Sequence, residues 1–149
     1  MLKAGYLKSS LKNIILFVDD DPDDLEFYGE SMMAAHPGLR IREARSGLQA
    51  MEYLRSAKQA GELPCLIVLD VNMPIMSGKD TLLEIKKDKI LNHIPVVIFS
   101  TASNPREKEY FNNHEVDFFT KPCTVSEMQS VAKQLLTYCA FSFEVVPGN

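Results

Sequence analysis

Short apolar runs alternate with longer amphipathic stretches along most of the chain. The runs predict five strands, at residues 14–18, 39–44, 65–69, 96–99 and 116–120. The first, third and fourth runs contain only apolar residues, which is typical of parallel strands that helices cover on both faces. Apolar residues that recur at helical spacing predict five helices, around residues 25–33, 48–54, 81–90, 105–113 and 125–136. This alternation predicts an α/β fold with a parallel sheet between two layers of helices.

Local signals mark the starts of the last two helices. Asn104 is a suitable N-cap for the fourth helix, with Pro105 in its first position. Thr124 and Glu127 have the spacing of a capping box at the start of the fifth helix. A chain of 149 residues fits one domain. We expect an N-terminal extension at 1–11, the domain at 12–140, and a C-terminal tail beyond the last helix at 141–149.

Composition narrows the classes of function. The net charge is −4, and no basic run exceeds Lys86–Lys87, so we expect no direct DNA binding. No apolar stretch approaches the length of a membrane span, and the N-terminus lacks the pattern of a signal peptide. We therefore expect a cytoplasmic protein without a membrane segment.

The cysteines are three, Cys65, Cys123 and Cys139, an odd number without a CxxC spacing. This pattern predicts small core residues in a reducing compartment, rather than a disulfide framework or a zinc site.

Polar residues that suit phosphoryl chemistry follow the predicted strands. Asp19 and Asp20 follow the first strand, Asp70 the third, Ser100 the fourth and Lys121 the fifth. The carboxyl ends of parallel strands share one edge of a sheet, so these residues should converge. Clustered carboxylates repel one another unless a cation joins them, and Mg²⁺ prefers such oxygen ligands. Together with a lysine and a hydroxyl, this set predicts in-line phosphoryl transfer to the Asp70 carboxylate.

Four motifs, in order, resemble the receiver domain of two-component response regulators over about residues 12–140. They are Val18-Asp19-Asp20, Leu69-Asp70-Val71-Asn72-Met73-Pro74 with Gly78 four residues later, Phe99-Ser100, and Phe119-Thr120-Lys121-Pro122. The resemblance implies a flavodoxin-like, doubly wound (βα)5 fold whose five parallel strands have the order 2-1-3-4-5. It also implies a stand-alone signalling switch and not an enzyme, apart from promoting its own phosphorylation and dephosphorylation.

The resemblance assigns roles to individual residues. Asp70 is the expected phospho-acceptor, and Ser100 and Lys121 are expected to contact the phosphoryl group. The expected ligands of Mg²⁺ or Mn²⁺ are Asp19, Asp20, Asp70 and the backbone carbonyl of Asn72. Ser100 and Phe118 are the expected switch residues, and the Lys121–Pro122 peptide bond is expected to be cis.

The resemblance also implies partners. A histidine kinase or a phosphotransfer protein would donate the phosphoryl group, and a downstream protein of unknown identity would receive the signal. The face formed by the fourth helix, the fifth strand and the fifth helix is a candidate for pairing two copies.

Several residues depart from the family pattern. Phe118 lacks the hydroxyl of the usual tyrosine, and Thr101 is bulkier than the usual small residue. Glu115-Val116 replaces a frequent Gly-Ala turn, so we expect an unusual geometry before the fifth strand. Ala102 and Asn72 occupy positions that tune dephosphorylation in the family.

Other interpretations of these residues are open. The chain could be an interaction module of the same fold that never uses phosphorylation. A phosphatase of the haloacid dehalogenase type would need a second acid where Asn72 stands, and a cap domain that 149 residues do not provide. Asp21, Asp23 and Asp24 are assigned to the N-terminus of the first helix, where acids are favourable. Phe118 could be a core aromatic without a switching role.

Overall fold

A computed structural model of the chain describes residues 13–101 and 105–144, with side chains to residue 139. Its sheet has five parallel strands: β1 (Ile14–Val18), β2 (Arg40–Ala44), β3 (Leu66–Asp70), β4 (Val96–Ser100) and β5 (Asp117–Thr120). They are ordered β2-β1-β3-β4-β5. The flavodoxin-like, doubly wound fold is therefore confirmed.

Five α-helices connect and follow the strands. They are α1 (Pro22–Ala35), α2 (Gly47–Ala60), α3 (Gly78–Lys87), α4 (Pro105–Asn113) and α5 (Val125–Glu144), with a short 3-10 helix at Leu91–His93. Within the described part of the chain, none of the helices is long and apolar enough to cross a bilayer.

The core consists of two apolar layers, one on each face of the sheet. Strands β1, β3 and β4 are buried along their whole length because helices cover both faces. Side chains alternate between the faces, so Leu16 enters one layer and Phe17 the other. Helices α2, α3 and α4 cover the first layer, and α1 and α5 cover the second. Of the nine residues of α4, all of them described, Phe111 alone is buried.

Helix α5 is longer than the sequence pattern predicted. It continues to Glu144, so the first residues of the predicted 141–149 tail are helical. The stretch contains no helix breaker before Pro147 and Gly148, and nothing in the local sequence stops it earlier. At its start, Thr124 accepts a hydrogen bond from Glu127 N–H, as predicted, but the Glu127 carboxylate accepts from Cys123 N–H. The predicted extension at 1–11, Asn104 and the end of the tail lie outside the described residues.

The geometry before β5 is unusual, as predicted. Glu115 has a left-handed backbone with φ of 57°, a conformation that favours glycine. Its neighbour Val116 donates a backbone hydrogen bond of 3.0 Å to Phe111, which closes the end of α4. The turn thus places a non-glycine residue at a helix C-terminus where glycine is usual.

The expectation about the cysteines is wrong for two of them. Cys65 and Cys139 are buried, as predicted, but they form a disulfide that joins the residue before β3 to helix α5. Cys123 is free and exposed. The two paired residues are 74 positions apart, and only the packing of α5 against the sheet brings their Cα atoms to 5.2 Å. Neither their number nor their spacing in the sequence contains that information.

The expected cis bond before Pro122 is also wrong, since every peptide bond between described residues is trans. Trans is the more stable isomer of an X–Pro bond unless the surrounding chain requires the other.

Candidate functional site

The residues predicted to converge do meet at the carboxyl edge of the sheet. Lys121 Nζ lies 2.9 Å from Asp19 Oδ2 and 3.4 Å from Asp70 Oδ1. Asp20 completes a cluster in which one oxygen from each of the three acids lies within 4.8 Å of the others. Asp19 and Asp70 are buried, whereas Asp20 is exposed at the mouth of the site. The arrangement is an acidic pocket with one lysine at its inner wall.

The start of α1 fixes the position of Asp19. The Asp21 N–H donates a hydrogen bond of 3.0 Å to Asp19 Oδ1. Asp21 is itself the N-cap of α1 and accepts from Asp23 N–H at 2.9 Å. Pro22 begins the helix in the position that proline favours. A strand end followed by a capped helix therefore holds the carboxylate at the sheet edge.

Asp24 is a member of the site that sequence reasoning missed. Its Oδ2 lies 3.2 Å from Lys121 Nζ, so the lysine contacts three carboxylates. Asp24 stands four residues after Asp20, and this helical spacing was the available signal. Because acids are favourable at a helix N-terminus, Asp24 was assigned to the start of α1, and its contact with Lys121 was not predicted.

Gly78 allows α3 to start against the backbone of Asp70. A Cβ at Gly78 would lie 2.4 Å from the Asp70 carbonyl oxygen and 2.8 Å from Val71 Cα. The Gly78 N–H donates a hydrogen bond of 3.0 Å to the Val71 carbonyl. The close approach leaves no space for a side chain at this position, which accounts for the glycine.

Burial and charge shift the ionisation of the site. Burial, and then the negative charge of Asp19, raise the pKa of Asp70 to about 6, against the opposing effects of Lys121 and the Asn72 N–H. Burial likewise raises the pKa of Asp19. For Lys121, burial alone would lower the pKa, but its close ion pair with Asp19 and the charge of Asp70 outweigh burial and raise it. Lys121 therefore remains a cation, but its single positive charge only partly balances the negative charge of the neighbouring carboxylates.

The donors fit a hard divalent cation. Asp19 Oδ2 is fully buried, and its contact with Lys121 is an ion pair without an aligned hydrogen bond, so a lone pair remains unsatisfied. One lysine neutralises only part of the negative charge of Asp19, Asp20 and Asp70. Mg²⁺ and Mn²⁺ accept clustered carboxylate oxygens as ligands. The carboxylate of Asp20 is open to solvent.

The two predicted switch residues lie on adjacent strands. Ser100 is the last residue of β4, is fully buried, and its carbonyl accepts a hydrogen bond of 2.8 Å from Lys121 N–H. Phe118 on β5 is half-buried, with its ring centroid 6.1 Å from that of Phe111 on α4. Lys108 Nζ lies 5.9 Å from the Phe118 centroid. Thr101, after Ser100, is exposed, and Ala102 lies outside the described residues. Switching at these positions stays a prediction.

Comparison with known proteins gives a consistent result. The family model of the response regulator receiver domain matches residues 15–133. A probable cyclic di-GMP phosphodiesterase of Vibrio cholerae is 35% identical over 118 residues, which are 78% of this chain and 25% of that protein. The chain thus spans about a quarter of the length of that relative.

Two similar solved structures carry information about the site. The phosphorylated cyanobacterial phytochrome response regulator RcpA is 29% identical, with a TM-score of 0.76 over 86% of this chain and 94% of that one. The Mn²⁺-bound form of response regulator Rcp1 is 26% identical, with a TM-score of 0.72 over 92% of this chain and 99% of that one.

Proposed function

The chain belongs to the response-regulator receiver family, and from this premise we propose that it is a signalling switch whose Asp70 carboxylate accepts a phosphoryl group. The observation that carries the proposal is the joint position of Asp70 and Lys121, 3.4 Å apart in a buried acidic pocket. The similar RcpA structure is of a phosphorylated protein, which supports the same chemistry. The donor would be a histidine kinase or a phosphotransfer protein, and the site of action the cytoplasm.

The phosphoryl transfer would proceed in line. An Asp70 carboxylate oxygen attacks the phosphorus of a phosphohistidine, the new P–O bond forms as the P–N bond breaks, and the donor imidazole leaves. Because the pKa of Asp70 is about 6, the carboxylate is mostly ionised near neutral pH and is ready to attack. Lys121 Nζ, 3.4 Å from Asp70 Oδ1, would balance the charge of a phosphoryl oxygen on Asp70.

A divalent metal, Mg²⁺ or Mn²⁺, would be held by Asp19, Asp20, Asp70 and the backbone carbonyl of Asn72. When bound, the cation would neutralise negative charge on the phosphoryl oxygens and the carboxylates. The unsatisfied lone pair of Asp19 Oδ2 and the Mn²⁺-bound structure of Rcp1 support this assignment.

The conformational response would begin at Ser100 and Phe118. A phosphoryl group on Asp70 adds an acceptor for the Ser100 hydroxyl, whose movement would free space for the Phe118 ring to turn inward. This would alter the face formed by α4, β5 and α5. We propose this face as the surface that a downstream protein or a second copy reads.

Intact-mass spectrometry after treatment with acetyl phosphate and Mg²⁺ tests the phospho-acceptor. The wild-type protein should gain the mass of one phosphoryl group, and Asp70→Asn should gain none. Asp23→Asn is the matched control, because Asp23 is an exposed acid on the same edge. Full labelling of Asp70→Asn would refute the assignment. An unlabelled wild type would favour the phosphorylation-independent interaction module.

Separate variants test the metal and the switch. Asp20→Ala should weaken Mg²⁺ binding, measured by calorimetry, by at least about tenfold, whereas Asp23→Ala should not. Equal affinities for Mg²⁺ would contradict the role of Asp20.

Lys121→Ala and Ser100→Ala should accept the phosphoryl group but show a smaller change in hydrogen exchange over α4 and β5. A full wild-type response in both would exclude them from the switch.

A further inference from the structure

A disulfide joins the sheet to the last helix at the end of the molecule that is distant from the acidic pocket. Cys65 immediately precedes β3, whereas Asp70 is the last residue of that strand. The Cys65 backbone is fixed in the sheet, because its N–H donates a hydrogen bond of 2.8 Å to the Ile14 carbonyl. Cys139 lies in the C-terminal part of α5. The disulfide thus links the C-terminal part of α5 to the central strand β3 of the sheet.

The residues next to Cys139 form one wall of a surface groove. Gln134, Thr137 and Tyr138 of α5 face Asp117 and Phe118 of β5 across this groove. The Tyr138 hydroxyl donates a hydrogen bond to Asp117 Oδ2. The position of Tyr138 is therefore tied to the covalent attachment of the adjacent Cys139. A change in that attachment would therefore reach the groove most directly through Tyr138.

We propose that Cys65 and Cys139 form a reversible thiol–disulfide site that fixes the C-terminal half of α5 and, through it, the groove between α5 and β5. The reactant is a cellular thiol–disulfide couple, either a cysteine-pair oxidoreductase or two molecules of glutathione. The inference does not depend on phosphorylation of Asp70. It concerns a second signal that would act on the same face, formed by α4, β5 and α5.

The exchange is a two-electron reaction with a defined balance. A thiolate of the reductant attacks one sulfur of the Cys65–Cys139 bond, which forms a mixed disulfide and releases the other sulfur as a thiolate. A second thiol of the reductant then displaces the remaining cysteine. The chain gains two electrons and two protons as two thiols, and the reductant becomes a disulfide. Oxidation is the reverse, with an oxidised dithiol as the acceptor.

Burial makes the reaction depend on movement of α5. Cys65 and Cys139 are 6% and 1% exposed, so a reagent reaches them only when the end of the helix leaves the sheet. Cys123, exposed before α5, needs no such opening. A reducing glutathione pool favours opening of the bond, and oxidising conditions favour its closure. Cys123 is therefore an internal control, an exposed thiol whose reactivity can be compared with that of the buried pair.

Thiol counting and hydrogen exchange on the full chain test the proposal. The protein is equilibrated in dithiothreitol buffers of graded potential, which leave no stable adduct on Cys123, and its free thiols are then alkylated after unfolding and counted by intact mass. One free thiol is expected in oxidising buffer and three in reducing buffer. In reducing buffer, hydrogen exchange over the C-terminal half of α5 should accelerate at least about tenfold more than exchange over β1.

Variants separate the disulfide from the other cysteine. Cys123→Ser should keep the whole response, and Cys139→Ala should exchange at the fast rate in every buffer. If Cys139→Ala fails to fold, the reduced wild-type protein provides the same comparison. Three free thiols in every buffer would overturn the proposal. So would equal exchange of α5 in both states, or equal acceleration in α5 and β1, which would indicate a global effect on stability.

Discussion

Substitution of Asp70 by asparagine should stabilise the metal-free protein near neutral pH. Asp70 is 4% exposed, and burial together with the charge of Asp19 raises its pKa from the ordinary 3.8 to about 6. The folded protein therefore binds the Asp70 proton more tightly than the unfolded chain does. Between about pH 4 and 6 the wild-type free energy of unfolding should fall as pH rises, because the folded state must ionise a buried acid.

The magnitude follows from the interval between the two pKa values. An interval from 3.8 to about 6, at about 1.4 kcal/mol for each pH unit, amounts to about 3 kcal/mol above pH 6. An asparagine of nearly the same shape carries no charge and removes this cost. Below about pH 4, Asp70 is protonated in both states, so the difference between variant and wild type should shrink towards zero.

Urea unfolding in the presence of a chelator measures the effect. At about pH 7.5, Asp70→Asn should unfold at a higher urea concentration than the wild type, and at about pH 4 the two curves should approach each other. Excess Mg²⁺ should stabilise the wild type more than the variant, because the bound cation offsets the buried charge. Asp23→Asn should show no comparable gain. The reasoning is refuted if Asp70→Asn is no more stable than the wild type at about pH 7.5, or if its gain is independent of pH.

Three further predictions concern the scaffold. Gly78→Ala should lower the free energy of unfolding by about 2 kcal/mol or more, because the new methyl group would lie 2.4 Å from the Asp70 carbonyl oxygen; an unchanged urea midpoint would show that α3 can shift freely. Ile75 is 96% exposed and has a φ of 67°, a left-handed conformation that asparagine tolerates better than β-branched residues do. Ile75→Asn should therefore raise the free energy of unfolding by about 0.5–1 kcal/mol, and Ile75→Val should not. Equal urea midpoints for the two variants would argue against backbone strain. Reduction of the Cys65–Cys139 bond, which spans 74 residues, should lower the free energy of unfolding by up to about 4 kcal/mol, and a loss below about 0.5 kcal/mol would mean that the denatured chain is not appreciably constrained by it.

The sequence predicted the sheet and the buried part of the site well, for a physical reason. Apolar runs identify central strands, and parallel topology then brings the residues after them to one edge, as with Asp19, Asp70 and Lys121. Contacts that depend on how helices pack were less accessible. The approach of Asp24 to Lys121, 97 residues later in the chain, depends on where the start of α1 lies relative to the segment that follows β5.

Other differences arise because competing structures have similar local signals. The extent of α5 was underestimated because helix and tail share an apolar composition until Pro147. The disulfide was missed because residue spacing does not encode a long-range contact. The isomer of the Lys121–Pro122 bond depends on a small energy difference, which the family resemblance alone did not settle correctly.

The attachment of α4 bears on the proposed switch, because it determines how much free energy is needed to move this helix. Phe111 is the one fully buried side chain of this helix, and Tyr110 is only partly buried against the core. The hydrophobic contribution that holds α4 on the sheet is therefore roughly 2–4 kcal/mol. Coupling free energies between two sites are of similar size, typically about 1–3 kcal/mol. A modification at the pocket, or a partner bound to the surface, would thus supply a free energy similar to the one that holds α4 on the sheet. The rest of the fold, held by two continuous apolar layers, can remain unchanged while one helix moves.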